Sequence, residues 1–301
     1  MTKLEQLIDS LKSMEIKGGT NIGIVTAEIV KEWLHENWRD KKESFESFLN
    51  FIRDLRKLKP SMATVHNITE RVRNLIERNK LERGKLLNEV EAFIANYVQT
   101  VQNGMEEVAS IASNIIKDGD VILTHSFTFM VFKGIERAWN SKKKFEVICT
   151  ESRPLCEGVL LADKIAQLGV KTSLITDAAV AYYLPRCTKV FIGADAVYTD
   201  GSIVNKIGSL SVGILADFYQ KPLYVIATTS KFFASSKVGT YLELERRPSK
   251  EVLENPAVPH LQVENIFFEV VPSKLIDYII TEKGIYKPCQ VIQVIEEWEG
   301  L

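Results

Sequence analysis

The chain has 301 residues, which is enough for two compact domains or for one domain with a large appendage. Hydrophobic residues make up 46% and charged residues 26%, as in ordinary soluble globular proteins. The net charge of -1 excludes a general attraction to nucleic acid or to an anionic membrane. The sequence lacks a signal peptide and any apolar run of the roughly 18 residues that a membrane span needs. We therefore expect a cytoplasmic protein that does not bind membranes.

The cysteines indicate a reducing compartment and no metal centre. Cys149, Cys156, Cys187 and Cys289 form no C-x-x-C pair, and no histidine-rich segment lies near them. Zinc sites in proteins usually show such spacings. The sequence therefore predicts free, mostly buried thiols and no bound metal.

Residues 2 to about 117 carry apolar residues at helical spacing and almost no strand pattern. The expected helices cover residues 4–11, 24–34, 45–58, 65–80 and 83–116. Pro60 ends the third helix, and a break is expected in the long fifth helix near Asn103-Gly104. No seven-residue repeat persists, so we predict a helical bundle rather than a coiled coil.

From residue 118 onward, short apolar runs alternate with helical stretches. Strands are expected at residues 121–123, 147–149, 174–175, 190–192 and 223–227, and helices at 129–139, 160–168 and 209–219. Two more extended segments, 267–272 and 278–282, are expected near the sheet edge. This alternation predicts an α/β fold, in which a helical N-terminal domain (1–117) precedes a parallel-sheet domain (118–301).

Polar residues follow every expected strand. These segments are Thr124-His125-Ser126, Thr150-Glu151-Ser152-Arg153, Thr176-Asp177, Gly193-Ala194-Asp195 and Thr228-Thr229-Ser230-Lys231. Ligands of parallel α/β sheets bind outside the carboxyl ends of the strands. The sequence therefore predicts one polar pocket at that edge.

Several of these residues also fit purely structural roles. Thr176 and Asp177 fit helix caps equally well, His125 fits a hydrogen-bonded structural histidine, and Arg153 fits a surface residue. Asp195 follows two small residues and has few neighbours in sequence that could neutralise it. It is therefore the strongest candidate for a reactive group.

Two segments suggest phosphate binding. Residues 200–209 are expected to form a turn that feeds a helix, whose first N–H groups and Lys206 would attract an anion. The glycine loop expected at residues 16–23, which contains Gly18-Gly19-Thr20, would let a phosphate approach the backbone, although a plain interhelical loop fits it as well. The sequence contains neither a dinucleotide-binding nor a P-loop motif, so we predict no cofactor.

The motifs together resemble one known family. They are Ile122-Leu123-Thr124-His125, Thr150-Glu151-Ser152-Arg153-Pro154, Gly193-Ala194-Asp195 and Gly201-Ser202-Ile203-Val204-Asn205-Lys206-Ile207-Gly208. The family unites the alpha, beta and delta regulatory subunits of translation initiation factor two-B with ribose-1,5-bisphosphate isomerase and methylthioribose-1-phosphate isomerase. The resemblance covers nearly the whole chain. It implies a helical N-terminal domain, a Rossmann-like C-terminal domain and a homodimer formed through the latter.

The resemblance also implies residue roles. In the isomerases, a cysteine after the first strand and an aspartate after the fourth carry the chemistry; the corresponding residues here are Ser126 and Asp195. A serine hydroxyl is a far poorer acid and base than a thiol. Lys59 stands where the isomerases usually place arginine. The residues that would hold the ligand are Gly18, Gly19, Thr20, Lys59, Arg153, Asn205, Lys206 and Lys231.

The resemblance leaves two functions open. We expect an alpha-like or archaeal regulatory subunit, whose pocket binds a phosphorylated sugar or nucleotide and whose surface meets initiation factor two or another initiation factor subunit; Ser126 favours this function. The alternative is an aldose–ketose isomerase for ribose 1,5-bisphosphate, with Asp195 as the proton shuttle.

Overall fold

A computed structural model describes residues 2–13, 16, 18–38, 44–78, 83–254, 258 and 260–299. Lys17 and Lys80, which belong to the expected glycine loop and fourth helix, lie outside the described residues. The N-terminal part is helical, as its spacing predicts. Its helices are α1 (Lys3–Lys12), α2 (Gly19–Asn37), α3 (Phe45–Leu58), α4 (Ala63–Arg78) and α5 (Arg83–Ile115). None of the described helices is long and apolar enough to cross a bilayer.

The expected break in the fifth helix is wrong. Helix α5 runs through Asn103 and Gly104 without interruption. A Cβ atom at Gly104 would lie 3.3 Å from the side chain of Glu282, far along the chain. Gly104 therefore serves close packing between the two parts of the chain, at the modest helix propensity cost of a glycine.

The C-terminal part contains a seven-stranded sheet of order β11-β10-β7-β4-β1-β2-β3, in which only the β10–β11 pair is antiparallel. Its strands are β1 (Val121–Thr124), β2 (Glu146–Thr150), β3 (Lys171–Ile175), β4 (Lys189–Ile192), β7 (Leu223–Ile226), β10 (Tyr278–Thr281) and β11 (Gly284–Tyr286). The helices of this part are α6 (Phe129–Asn140), α7 (Glu157–Gln167), α8 (Val180–Tyr183), α9 (Ser209–Phe218) and α10 (Val291–Glu299).

Both faces of this sheet are covered. Ile122 packs in a cluster with residues of α5, α6 and α7, whereas its neighbour Leu123 packs with residues of α9 and α10. Successive side chains of a strand point to opposite faces, so two apolar layers are needed to bury them. This confirms the predicted fold class, a helical N-terminal part followed by a largely parallel α/β sheet.

A second, four-stranded sheet was not predicted. It has the order β8-β5-β6-β9 and is built from β5 (Ala196–Tyr198), β6 (Ile203–Lys206), β8 (Phe232–Phe233) and β9 (Phe268–Val271). The extended segment at 267–272 therefore does not lie at the edge of the main sheet. Segment 278–282 does lie near the edge of the main sheet, as expected, because β10 is the neighbour of the edge strand β11.

Helix α4 joins the helical part to the strand ends. The Asn67 side chain donates to the carbonyls of Ser230 at 2.9 Å and Phe232 at 2.8 Å. The Ala63 N–H donates to the carbonyl of Asp195 at 3.2 Å. One apolar cluster contains residues of α1 to α5 together with Tyr198 and Phe233. The helical part is thus fixed over the carboxyl ends of the strands; a domain border near residue 117 stays a prediction.

His66 on α4 generates a prediction about pH. It lies at the same junction, with its ring 5.9 Å from that of Phe233. Burial, together with the positive charge of Arg56, lowers the pKa of His66 from 6.5 to about 4. As the pH falls from 6.5 to 4, the unfolded chain binds a proton that the folded chain rejects, so His66 lowers the free energy of unfolding by up to about 3 kcal/mol.

Replacing His66 with glutamine should reduce the loss of stability between pH 7 and pH 4. Urea unfolding of both proteins at the two pH values measures the difference. His260→Gln, which removes an exposed imidazole, is the matched control and should behave as the wild type does. A His66→Gln protein with an unchanged pH dependence would contradict the assignment.

Candidate functional site

A cleft lies where the start of α2 meets the carboxyl ends of β1 and β4 and the second sheet. It encloses about 670 Å³, its mouth included. Eight of the ten residues predicted for the site line it: Gly18, Gly19, Thr20, Ser126, Asp195, Asn205, Lys206 and Lys231. These residues come from five separate segments, and three of them, Ser126, Asp195 and Lys231, were predicted from their place at strand ends.

Residues 18–20 form one wall of the cleft, but Gly19 and Thr20, which were expected in an interhelical loop, are the first residues of α2. Gly18 precedes α2 with φ 86°, a conformation that favours glycine. A Cβ atom on Gly19 would lie 2.9 Å from Asp195 Oδ1 and 3.4 Å from Lys231 Cε. Only glycine lets the start of α2 approach these two groups so closely. The N-cap residue, Gly18, makes no side-chain hydrogen bond to the first turn of α2. The hydroxyl of Thr20 in this turn lies 3.4 Å from the hydroxyl of Thr228, which follows β7.

Two hydrogen bonds hold the backbone of Asp195 beside Gly19. Its N–H donates to the Val204 carbonyl at 2.8 Å, while its own carbonyl accepts from Ala63. Burial raises the pKa of the Asp195 carboxyl, and the charges of Lys231 and Lys206 partly oppose this effect. A carboxyl that keeps its proton to a higher pH than usual is suited to acid–base chemistry near neutrality.

Lys231 is buried beside Asp195. Its ammonium donates to the carbonyl of Ala194, which fixes its position. Burial lowers the pKa of Lys231, and the negative charge of Asp195 raises it in part. The pair thus places a positive charge next to a carboxyl that can gain or lose a proton.

Asn205 and Lys206 lie on β6 rather than at the start of a helix. Lys206 forms an ion pair with Glu157, and its ammonium lies 3.0 Å from the centre of the Phe267 ring. Burial lowers the pKa of Lys206, while Glu157 opposes that shift. The Asn205 amide donates to the Ser209 hydroxyl at 2.9 Å.

The expected anion site at the start of α9 is wrong. The N–H groups of Gly208 and Leu210 donate to the carboxylate of Glu269, at 2.6 and 2.9 Å. A carboxylate of the protein thus already takes up these N–H groups, which were expected to attract a phosphate. Lys206 reaches the cleft from its strand instead.

His125 has the structural role that the sequence left open. Its Nε2 donates to the Ile207 carbonyl at 2.8 Å, which makes Nδ1 the acceptor for the Thr150 hydroxyl at 2.6 Å. Burial lowers the pKa of His125, so the ring is held neutral. Thr150 is 2.9 Å from the Ser152 hydroxyl, which accepts from the Ser126 N–H at 2.7 Å. This chain of hydrogen bonds positions Ser126, which lines the cleft with φ 65°.

Arg153 and Lys59 lie elsewhere. The Arg153 guanidinium donates to the Val252 carbonyl at 3.0 Å and borders a separate surface groove, while its N–H donates to Asp177 at 2.8 Å. Lys59 is buried at the end of α3. Neither residue is among the described residues that line the cleft.

Glu157, the first residue of α7, was missed by the sequence analysis although its carboxylate faces Lys206. The predicted helix began three residues later, at residue 160. Glu157 was therefore not recognised as an acidic residue at the start of the helix that follows β2. Acidic residues are common in the first turn of a helix, where the helix dipole stabilises them. An acidic residue at a helix start is therefore too common to predict a site residue by itself. It becomes informative only when the helix also follows a strand of the sheet.

Comparisons with known proteins agree on the relationship. A ribose 1,5-bisphosphate isomerase of Methanocaldococcus jannaschii is 31% identical, over 100% of this chain and 96% of that protein. A putative translation initiation factor eIF-2B subunit 2-like protein of Pyrococcus horikoshii is 30% identical, over 96% of this chain and 98% of that protein.

Solved structures give the same result. The crystal structure of the Pyrococcus horikoshii translation initiation factor eIF-2B matches with a TM-score of 0.81 and 28% identity, over 97% of this chain and 100% of that one. The tetrameric eIF2B-beta2-delta2 complex of C. thermophilum shares the fold, with a TM-score of 0.74 at 23% identity over 98% and 93% of the two chains.

The family model of the initiation factor 2 subunits matches residues 15–288. This protein therefore belongs to the initiation factor 2 subunit family, which includes relatives named as isomerases and relatives named as initiation factors.

Proposed function

We propose that this protein is an aldose–ketose isomerase that converts ribose 1,5-bisphosphate to ribulose 1,5-bisphosphate. The observation that carries the proposal is the half-buried Asp195 carboxyl, whose pKa is raised, beside the buried Lys231 in a cleft with a second buried cation, Lys206. Full-length relatives named ribose 1,5-bisphosphate isomerase support it, at 31% identity in one case and 28% in another.

The reaction needs proton movement and no net oxidation. The bond between C1 and the ring oxygen breaks, and the hydrogen on C2 moves to C1. The hydroxyl on C2 becomes a carbonyl, and its proton ends on the former ring oxygen. Asp195 can accept one of these protons and return it, because burial favours its protonated form while the charges of Lys231 and Lys206 favour its ionised form.

The same cleft offers groups for the phosphates. Lys206 and Lys231 are buried cations, and ammonium groups bind phosphate oxygens as point charges. Gly18 and Gly19 open the backbone at the start of α2, where the helix dipole favours an anion. In this proposal Asn205 and Thr20 add hydrogen bonds, and Arg153 and Lys59, which do not line the cleft, take no part.

Asp195→Asn should lower the turnover of ribose 1,5-bisphosphate by about a hundredfold or more, because the amide cannot exchange the proton. Binding of the sugar should persist, since both lysines remain. Chromatographic measurement of ribulose 1,5-bisphosphate formation tests this. Asp217→Asn, an exposed position on α9, is the control. An Asp195→Asn protein as active as the control would refute the role of Asp195.

A non-catalytic function is the second candidate, and Ser126 favours it. Ser126 lies in the cleft where the family resemblance places the cysteine of the isomerases. A serine without a basic partner is a weak acid and base, and His125 is engaged with Ile207 and Thr150. In this function the cleft senses a phosphorylated sugar or nucleotide, and the protein acts as a regulatory subunit on initiation factor two or another initiation factor subunit.

Ser126→Cys separates the two candidates. If the protein is an isomerase, a thiol at this position should raise turnover by about tenfold or more, because a thiol gives up its proton far more readily than a hydroxyl. Ser141→Cys, which adds a thiol at an exposed site, is the control. Ligand-induced thermal stabilisation without turnover in wild type and Ser126→Cys alike would support the sensor.

We also propose that the protein forms a homodimer through its α/β part. Ile214 and Phe218 lie one turn apart on α9, and Phe218 and Tyr182 of the adjacent α8 are 74% and 81% exposed. Contiguous exposed apolar side chains often mark protein contacts. Sedimentation should give twice the mass of one chain for the wild type and the mass of one chain for Ile214→Glu/Phe218→Glu. A monomeric wild type would contradict the dimer.

A further inference from the structure

The two cations of the cleft are both already neutralised by the protein. Lys231 lies beside Asp195, and Lys206 forms an ion pair with Glu157. Among the described residues that line the cleft, these four are the charged ones, so their formal charges cancel. A phosphate that enters therefore meets no surplus formal positive charge among the described lining residues. One of the two lysines must therefore separate from its carboxylate before its full positive charge can interact with the phosphate.

Glu157 is better placed than Asp195 to leave its lysine. Asp195 is held by hydrogen bonds of its own backbone to Val204 and Ala63, and Lys231 is anchored on Ala194. The Glu157 side chain is longer, and it is 12% exposed against 4% for Lys206. Glu157 also begins α7, so the helix dipole still stabilises its charge when it leaves Lys206.

We propose that Glu157 is a specificity-determining counter-ion, which a ligand phosphate must displace from Lys206. This inference rests on the phosphate binding that the proposed function assumes. Every phosphorylated ligand then bears the cost of opening the Lys206–Glu157 pair. A bisphosphorylated sugar offsets that cost with its second phosphate and its hydroxyls, whereas inorganic phosphate does not. Glu157 thus selects against small anions that would otherwise occupy Lys206.

Glu157→Gln tests the proposal without relying on turnover. Isothermal titration calorimetry measures the Kd of inorganic phosphate and of ribose 1,5-bisphosphate for wild type and variant. The variant should bind inorganic phosphate about tenfold more tightly, because the amide carries no negative charge to compete for Lys206. Glu151→Gln removes an equal charge in the same β2–α7 connection, outside the lining of the cleft, and should bind as the wild type does.

The outcomes separate this inference from the proposed function. Unchanged or weaker phosphate binding by Glu157→Gln, in a protein that still binds ribose 1,5-bisphosphate, overturns the role of Glu157 alone. If neither wild type nor variant binds either compound, both proposals fail. Tighter phosphate binding by the variant supports the counter-ion even where ribose 1,5-bisphosphate is bound without turnover, which would count only against the isomerase.

A second measurement covers the case in which Glu157→Gln does not fold. A crystal structure of the wild type soaked with inorganic phosphate or ribose 1,5-bisphosphate shows where Glu157 lies. The proposal expects a phosphate oxygen within hydrogen-bond distance of Lys206 Nζ and the Glu157 carboxylate moved away from it. A phosphate on Lys206 with the Lys206–Glu157 ion pair intact overturns the proposal.

Discussion

The pairing of buried lysines with carboxylates governs the cleft. An isolated ammonium group is very costly to bury. The charges of Lys206 and Lys231 are therefore stabilised in the folded protein by the carboxylates of Glu157 and Asp195. The helical part closes over these pairs through the hydrogen bond from Ala63 to Asp195 and through the approach of Gly19. The geometry that stabilises the charges thereby also shapes the cleft.

The same constraint links binding to chemistry. Burial raises the pKa of Asp195 while the lysines limit that rise, so one residue can serve as acid and as base. The lysines that limit the rise in the pKa of Asp195 also carry the ammonium groups that could bind a phosphate. Ser126 contributes little to acid–base chemistry, because a serine hydroxyl without a basic partner is a weak acid and a weak base. Its position is nevertheless fixed by the hydrogen bonds of Ser152 and Thr150.

Local sequence signals sufficed where the pattern was local. The strand-end rule brought Asp195, Ser126 and Lys231 to one edge, and the helical spacing predicted α1 to α4, although α2 begins at Gly19 rather than at residue 24. Contacts between distant segments could not be read from spacing. The second sheet depends on pairing of β6 with β9, so Asn205 and Lys206 were assigned to a turn before a helix. Gly104 continues its helix because Glu282 packs there, and Arg153 turns toward Val252 rather than into the cleft.

The central claim is that the cleft isomerises a phosphorylated sugar with the groups it holds. A 13C NMR time course of ribose 1,5-bisphosphate labelled at C1, mixed with the wild-type protein, tests it most directly. The account predicts that the labelled carbon changes from a ring carbon that carries one hydrogen to an open-chain carbon that carries two, as ribulose 1,5-bisphosphate forms. A labelled sugar that stays unchanged, in the presence of protein that binds it, would contradict the claim.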